Sequence, residues 1–240
     1  MTHMHIPDGI LPVWLWVLGF LAMAAVVAFC LYRLRGMDRK KKIPLLGVLS
    51  AVMLVSMSLE VLPIAYHLNL SVVAGILLGP SLGFIAAFIV NLILALLGHG
   101  GITVMGLNTL LLGAEAMLGH TFFYLIGNRL PIFWRAAAAT VLALAIVSIC
   151  LIGIVGISHA DSDLFTHLNG REDGHDAAEE GVSSLAAFAV MVLTLGLIGW
   201  IIEAAITGAV IRFISQVKPD LLTHALHRDT CRRLHGECAP

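Results

Sequence analysis

The chain has 240 residues, of which 59% are hydrophobic and only 12% are charged, and its formal net charge is −1. Soluble domains typically carry about 25% charged residues, so this composition excludes an ordinary soluble domain. The apolar runs are too long for barrel strands, and a spanning chain must satisfy its backbone hydrogen bonds within helices or closed barrels. The composition therefore predicts an all-α polytopic membrane helical bundle.

The apolar segments predict helices in chain order. Residues 1–8 contain no Lys or Arg before the first apolar run, so we expect no cleavable signal peptide. The predicted helices lie near 9–33, 43–63, 69–79, 81–98, 103–127, 132–158 and 183–214. The third is short and stops at Gly79-Pro80, a helix break. Either it crosses as a short broken helix, giving seven spans, or 69–98 is one kinked span, giving six.

The distribution of basic residues favours seven spans. Cytoplasmic segments carry the excess of Lys and Arg. With seven spans and the N-terminus outside, only Arg171 of the 14 basic residues lies outside, whereas with six spans the basic cluster at 33–42 conflicts with the remaining loops. We predict about seven transmembrane helices, N-terminus outside, in a multi-pass protein of the cell (inner or plasma) membrane. The predicted organisation is a single transmembrane domain, 1–222, and a cytoplasmic tail, 223–240.

The longest predicted outer segment is the loop 159–182, which is rich in His, Asp and Glu. Its composition is typical of a solvated linker. An alternative interpretation is a surface that concentrates divalent cations weakly, because carboxylates and imidazoles attract such ions without forming a defined site.

The N-terminus contains a second kind of signal, since His3 and His5 lie within five residues of it. An α-amine, a backbone amide and an imidazole that are neighbours in sequence can chelate one divalent metal. Nitrogen donors suit nickel, copper and cobalt, and square-planar nitrogen sites favour Ni(II) or Cu(II). The terminus therefore predicts a transition-metal site at one face of the membrane.

Four stretches, in order along the chain, carry a family resemblance. They are Met-His-Ile-Pro-Asp-Gly at 4–9, His67 followed by Leu-Leu-Gly-Pro at 77–80, Gly-Gly-Ile-Thr at 100–103 with Gly106 and Asn108, and the stretch 207–222. Together they resemble the CbiM/NikM family, the substrate-binding membrane subunits of nickel and cobalt energy-coupling-factor transporters. The first two stretches are specific, and the last two are supportive.

The resemblance implies a ligand set. The metal would be held by the terminal amine of Met4, the amide nitrogen and imidazole of His5, and the imidazole of His67. Three additional residues precede Met4, so three forms of the terminus are open. Translation begins at Met4, which we favour. Alternatively, Met1 is removed and Thr2 with His3 forms the chelate, or the intact Met1-Thr2-His3 does so.

Other polar residues are candidates for supporting roles. Glu60 lies seven residues before His67 and could orient its imidazole. His99 and Asn108 are further candidates for positions behind the ligands. Small residues at Gly47 and Ala51 could form a face for a partner helix.

The resemblance implies a transport role. The chain would carry no cofactor, and Ni²⁺ or Co²⁺ would be its transported ligand, with a link to cobalamin biosynthesis if the metal is cobalt. The expected partners are a transmembrane coupling subunit, cytoplasmic ATPase subunits, a small accessory membrane subunit and the lipid bilayer, with no nucleic acid. The sequence has no Walker loop and no enzyme signature.

Two alternatives remain. The first is a self-sufficient metal permease whose path is lined by Glu115, His120 and Glu203, which are ionisable residues within predicted spans. The second is a metal-dependent membrane enzyme, which would need a His-Glu-x-x-His array that the sequence lacks.

Overall fold

The computed structural model describes residues 12–35, 42–58, 60–62, 66–98, 101–168, 174–219 and 221–222. These residues form seven α-helices, one 3₁₀ turn (Gly127–Arg129) and a short two-stranded sheet. The helices are α1 Val13–Arg33, α2 Lys42–Ser58, α3 Ser71–Leu78, α4 Pro80–Leu96, α5 Met105–Ile126, α6 Ile132–Leu168 and α7 Gly174–Val217, and the strands are β1 Glu60–Leu62 and β2 Tyr66–His67. The prediction of a helical membrane bundle is confirmed.

Four of the described helices have the length and hydropathy of complete membrane spans. They are α1, α5, the part of α6 over 132–158 and the part of α7 over 192–217. The apolar helices α2 and α4 have 17 residues each, at the lower limit of about 17–25 residues for a span. The number of complete crossings and the side on which the chain begins stay predictions.

Helix α3 is an interior element of the bundle and is too short to be an ordinary span. Its eight residues rise about 12 Å, against a hydrocarbon core about 30 Å thick. All eight are buried. Val72, Ile76 and Leu77 lie in one apolar cluster with Phe123 of α5 and Ala139 of α6. Helix α3 therefore lies in the interior, packed against α2, α4, α5 and α7.

The chain reverses at the break between α3 and α4. Gly79 has a φ of 88°, and Pro80 begins α4. A Cβ placed on Gly83 would lie 2.9 Å from the Cα of Gly75. These two residues stand four positions on either side of Gly79 and still touch, so α3 and α4 form a tight hairpin. Of the two predicted alternatives, the structure therefore has two separate helices and not one kinked span.

Helix α5 packs against α1, α3, α4 and α6. Near its start Gly106 lies against α1, where an added Cβ would come 2.6 Å from the backbone nitrogen of Phe20. At its middle, Ala116 contacts both Gly75 of α3 and Gly83 of α4. Gly83 therefore packs closely against both α3 and α5. Gly47 of α2, by contrast, has open space where a Cβ would be.

Two predicted boundaries are wrong. The second apolar segment was predicted to be helical to residue 63, but α2 ends at Ser58 and residues 60–62 form β1. The segment 159–182 was predicted to be a loop, but α6 continues to Leu168 and α7 begins at Gly174. Polar composition indicates contact with water, whereas Ala, Leu and Glu in this segment are strong helix formers. The two helices therefore extend well past the apolar region.

Candidate functional site around His67

His67 lies at the end of a small hairpin that follows α2. Strand β2 pairs antiparallel with β1, and the register places Glu60 directly opposite His67. Directly opposed residues of an antiparallel pair have Cβ atoms about 4.5–5.5 Å apart. The structure therefore brings together the backbones of two residues that the sequence had proposed as ligand and supporting group.

Asn69, two residues after His67, joins this hairpin to three helices. Its side-chain Nδ2 donates to Glu115 Oε2 of α5 at 2.6 Å, and its backbone N–H donates to Glu203 Oε1 of α7 at 3.0 Å. Its side-chain Oδ1 accepts from the backbone N–H of Ser71 at 3.0 Å, at the start of α3. This last bond is a side-chain turn of the kind Asn favours before a helix. One buried residue, through its side-chain amide and its backbone N–H, thus ties the end of the hairpin to α3, α5 and α7.

The two carboxyl groups that meet at Asn69 are deeply buried. Glu115 is 1% exposed and Glu203 is 3% exposed, although they come from helices far apart in sequence. An ionisable group inside the bilayer is costly, roughly 2.5–3.5 kcal/mol on insertion scales, so such groups face the protein interior and take hydrogen bonds there. Here both take a donor from the same residue. The two carboxyl groups therefore hold the segment that follows the hairpin.

His120 contacts α3 and a neighbouring residue of its own helix. Its Nδ1 lies 3.0 Å from the carbonyl oxygen of Gly75, and its ring centroid lies 4.5 Å from that of Tyr124. Among the residues that the structure describes, no group of three or more His, Cys, Asp or Glu side chains is arranged to hold a metal. Glu115, His120 and Glu203, all within the described residues, are therefore not arranged as a metal-binding group.

The remaining predicted site residues are distributed between described and undescribed parts of the chain. Asn108 is buried in the first turn of α5, seven residues and about 10 Å of helix rise before Glu115. The others lie outside the described residues, so their predicted roles are untested; they are Thr2, His3, Met4, His5 and His99. They attach to elements that are described, since residues 1–11 lead directly into α1, whose second turn packs on the start of α5.

Sequence reasoning missed Asn69 and Ser71. A helix-start signal was present, because an Asn immediately before an apolar run favours the turn that precedes a helix. Nothing in the sequence could show that the same Asn would contact a residue 134 positions later.

Comparison with known proteins gives a consistent result over nearly the whole chain. Residues 5–221 match the family described as a cobalt uptake substrate-specific transmembrane region, CbiM. A protein of Archaeoglobus fulgidus with the provisional name fused nickel transport protein NikMN is 30% identical over 230 residues, which cover 91% of this chain and 68% of that protein.

Two further relatives agree. A protein of Methanosphaerula palustris provisionally named cobalt transport protein CbiM 1 is 26% identical, covering 92% of this chain and 93% of its own length. A fused cobalt transport protein CbiMQ of Methanocorpusculum labreanum, also provisionally named, is 28% identical, and the match covers 91% of this chain but 36% of that longer protein. The crystal structure of a transition metal transporter superimposes with a TM-score of 0.72 at 20% identity, covering 96% of this chain and 99% of that one. That likeness supports the fold.

Proposed function

Because this chain belongs to the CbiM family, we propose that it captures Ni²⁺ or Co²⁺ at the outer face of the membrane and passes the ion to an ATP-driven importer. At the level of the family, the chain is a multi-pass membrane component of nickel and cobalt transport and not an enzyme. The proposal adds the ligands, the direction and the energy source.

The ligand set we propose combines the terminus with the hairpin. The α-amine of Met4, the amide nitrogen and ring of His5, and the ring of His67 supply four nitrogen donors, a set that suits Ni(II). The observation that carries this proposal is the placement of His67. His67 is the last residue of β2 and pairs with Glu60 of β1. Two residues later, Asn69 donates hydrogen bonds to Glu115 of α5 and Glu203 of α7. A ligand on an otherwise free loop is held firmly by such contacts, as a metal site requires.

The importer we propose contains other subunits. Two relatives are fused proteins, and in the CbiMQ case most of the relative's length lies beyond the part that matches this chain. Family members therefore act with other transport modules. We propose that a transmembrane coupling subunit and cytoplasmic ATPase subunits serve this chain, since its own sequence carries no Walker loop.

The experiment that tests this proposal compares two variants of the purified protein by nickel and cobalt titration. His67→Ala should weaken binding by more than about tenfold, the scale at which even supporting residues of a metal site matter. A variant with His159, His167 and His175 all replaced by Ala should retain nearly normal affinity. If His67→Ala binds as tightly as the wild type, the ligand assignment is wrong.

A further inference from the structure

The geometry assigns Asn69, together with Glu115 and Glu203, as the device that positions the His67 imidazole for the metal. This inference rests on the proposed function, because it concerns the same metal. It goes further by naming three buried residues that are not themselves proposed as ligands.

The first step of the argument is the position of Asn69 in the chain. His67 is followed by Leu68, Asn69 and Leu70, after which α3 begins at Ser71. On its other side His67 is the last residue of β2, paired with β1. Only one residue, Leu68, therefore separates the imidazole-bearing residue from the hydrogen-bonded amide, and the backbone at His67 has contacts on both sides.

The second step is that each of the three hydrogen bonds of Asn69 goes to a different helix. The amide Nδ2 reaches α5, the backbone N–H reaches α7 and the side-chain oxygen holds the start of α3. Asn69 is 9% exposed, and a buried polar group of this kind is costly when its partner is removed. The three hydrogen bonds fix the position of Asn69. Because only Leu68 separates the two residues, they also restrict the position of the His67 backbone.

The third step concerns the carboxyl groups. Replacing buried charged groups by well-packed apolar residues of similar volume is often neutral or stabilising, so filling space does not by itself account for two buried carboxyl groups. Glu115 and Glu203 are fully interior on two helices, and both accept from Asn69. We therefore explain the position of both carboxyl groups by their hydrogen bonds to Asn69. What each carboxyl group must supply is an acceptor for the N–H of that residue.

A matched pair of substitutions at Glu115 tests this directly. Glu115→Gln keeps the size of the side chain and an oxygen that can accept from Asn69 Nδ2. Glu115→Leu has similar volume, tolerates the bilayer interior better and removes the acceptor. We expect Glu115→Gln to bind nickel within about threefold of wild type and Glu115→Leu to lose about tenfold or more, both with unchanged helix content by circular dichroism.

Glu203→Gln and Glu203→Leu repeat the test on α7. If a variant at one position fails to fold, the variants at the other position still test the inference. Asn69→Ala should match Glu115→Leu. Asn91→Ala is the control, because Asn91 is also buried and also donates to α5, to Met105 O and Thr109 Oγ1, but it lies in α4. It should cost stability without the tenfold loss of affinity.

A spectroscopic readout separates positioning from general destabilisation. The visible absorption of bound Ni(II) reports coordination geometry, so Glu115→Leu saturated with nickel should show an altered spectrum, whereas Asn91→Ala should show that of the wild type.

The outcomes distinguish this inference from the proposed function. If His67→Ala loses affinity but the Leu variants bind like the Gln variants, the positioning role is wrong and the proposed ligand survives. If the Leu and Gln variants lose affinity equally, charge and not hydrogen bonding matters, and the inference is also wrong. If His67→Ala itself binds normally, the proposed function fails first.

Discussion

Gly75 of α3 lies directly against the backbone carbonyl of Ala116 on α5, with no room for a Cβ between them. The carbonyl of Gly75 also faces His120 Nδ1 at 3.0 Å. The central short helix therefore meets α5 backbone to backbone, at the level of the bundle where Glu115 takes its hydrogen bond from Asn69.

We expect Gly75→Ala to destabilise the protein strongly. The added methyl would meet backbone, which cannot move aside as a flexible side chain can, and overpacking of this kind costs about 1–3 kcal/mol or more. Gly47→Ala is the matched control, since nothing lies near its missing Cβ. In a helix interior that change should be neutral or stabilising by up to about 1 kcal/mol. Thermal unfolding in detergent measures both, and equal melting temperatures for the two variants would contradict the packing described here.

Gly79→Ala should also destabilise, but for a different reason. Space is open around its missing Cβ, yet its φ of 88° is a conformation that residues with a side chain rarely adopt. Such backbone strain costs of order 1–3 kcal/mol. Gly153→Ala, in the interior of α6 with equally open space, should show no loss. If the two variants unfold at the same temperature, the turn at Gly79 does not have the geometry seen here.

Cysteine labelling tests the predicted sidedness. In a form lacking the four native cysteines, Asp163→Cys and Asp38→Cys should react with a membrane-impermeant reagent from opposite sides. The reason is the concentration of Lys and Arg near residue 38, which favours the cytoplasm. The assay uses intact cells and inverted vesicles. Labelling of both positions from the same side would contradict an N-terminus outside combined with seven crossings.

Comparison of forms that start at Met1 and at Met4, each with a verified free terminus, tests the amino-terminal ligand. Binding by the Met4 form alone would identify Met4 and His5 as the chelate. Binding by both, with only the longer form depending on His3, would transfer the role to the extension. Acetylation of the terminus should abolish tight nickel binding with the fold intact, because an acetylated nitrogen no longer offers its lone pair. A blocked and folded protein that binds like the free one would refute the mechanism.

The pH dependence of nickel affinity follows from the same chemistry. An α-amine ordinarily has a pKa of about 7.7–8.0, and amine, imidazole and amide ligands must all lose their protons to bind. Affinity should therefore rise with pH and fall as protons compete, by about tenfold per pH unit for each proton that is displaced. Isothermal titration between pH 6 and pH 8.5 in buffers of different ionisation enthalpy measures the proton release. A flat profile would exclude an amine ligand.

Hydropathy and turn residues were sufficient to predict the helices of the membrane region. The segment predicted at 81–98 is α4, Pro80–Leu96, and that at 103–127 is α5, Met105–Ile126. A long apolar run bounded by Gly and Pro forms a helix in a bilayer, because its backbone hydrogen bonds must be satisfied within the segment. The hairpin containing His67 could not be predicted, because a short apolar run does not distinguish strand from helix.

The junction at Asn69 was beyond the sequence for a different reason. Its bonds to Glu115 and Glu203 join residues 46 and 134 positions apart, and pairing at such a separation is set by the packing of whole helices. In the sequence, Glu115 and Glu203 stood out only as ionisable residues within predicted spans. That both accept a hydrogen bond from Asn69 is information only the fold contains.

The burial of all eight residues of α3 has a consequence for how the protein is made. A segment of this length is too short to be retained in the bilayer on its own during synthesis, so we expect α3 to enter together with α4 as a single unit. The reversal at Gly79 would then form while the chain is being inserted. Because Glu203 lies on α7, the hydrogen bond that ties Asn69 to that helix can form only after α7 has been made.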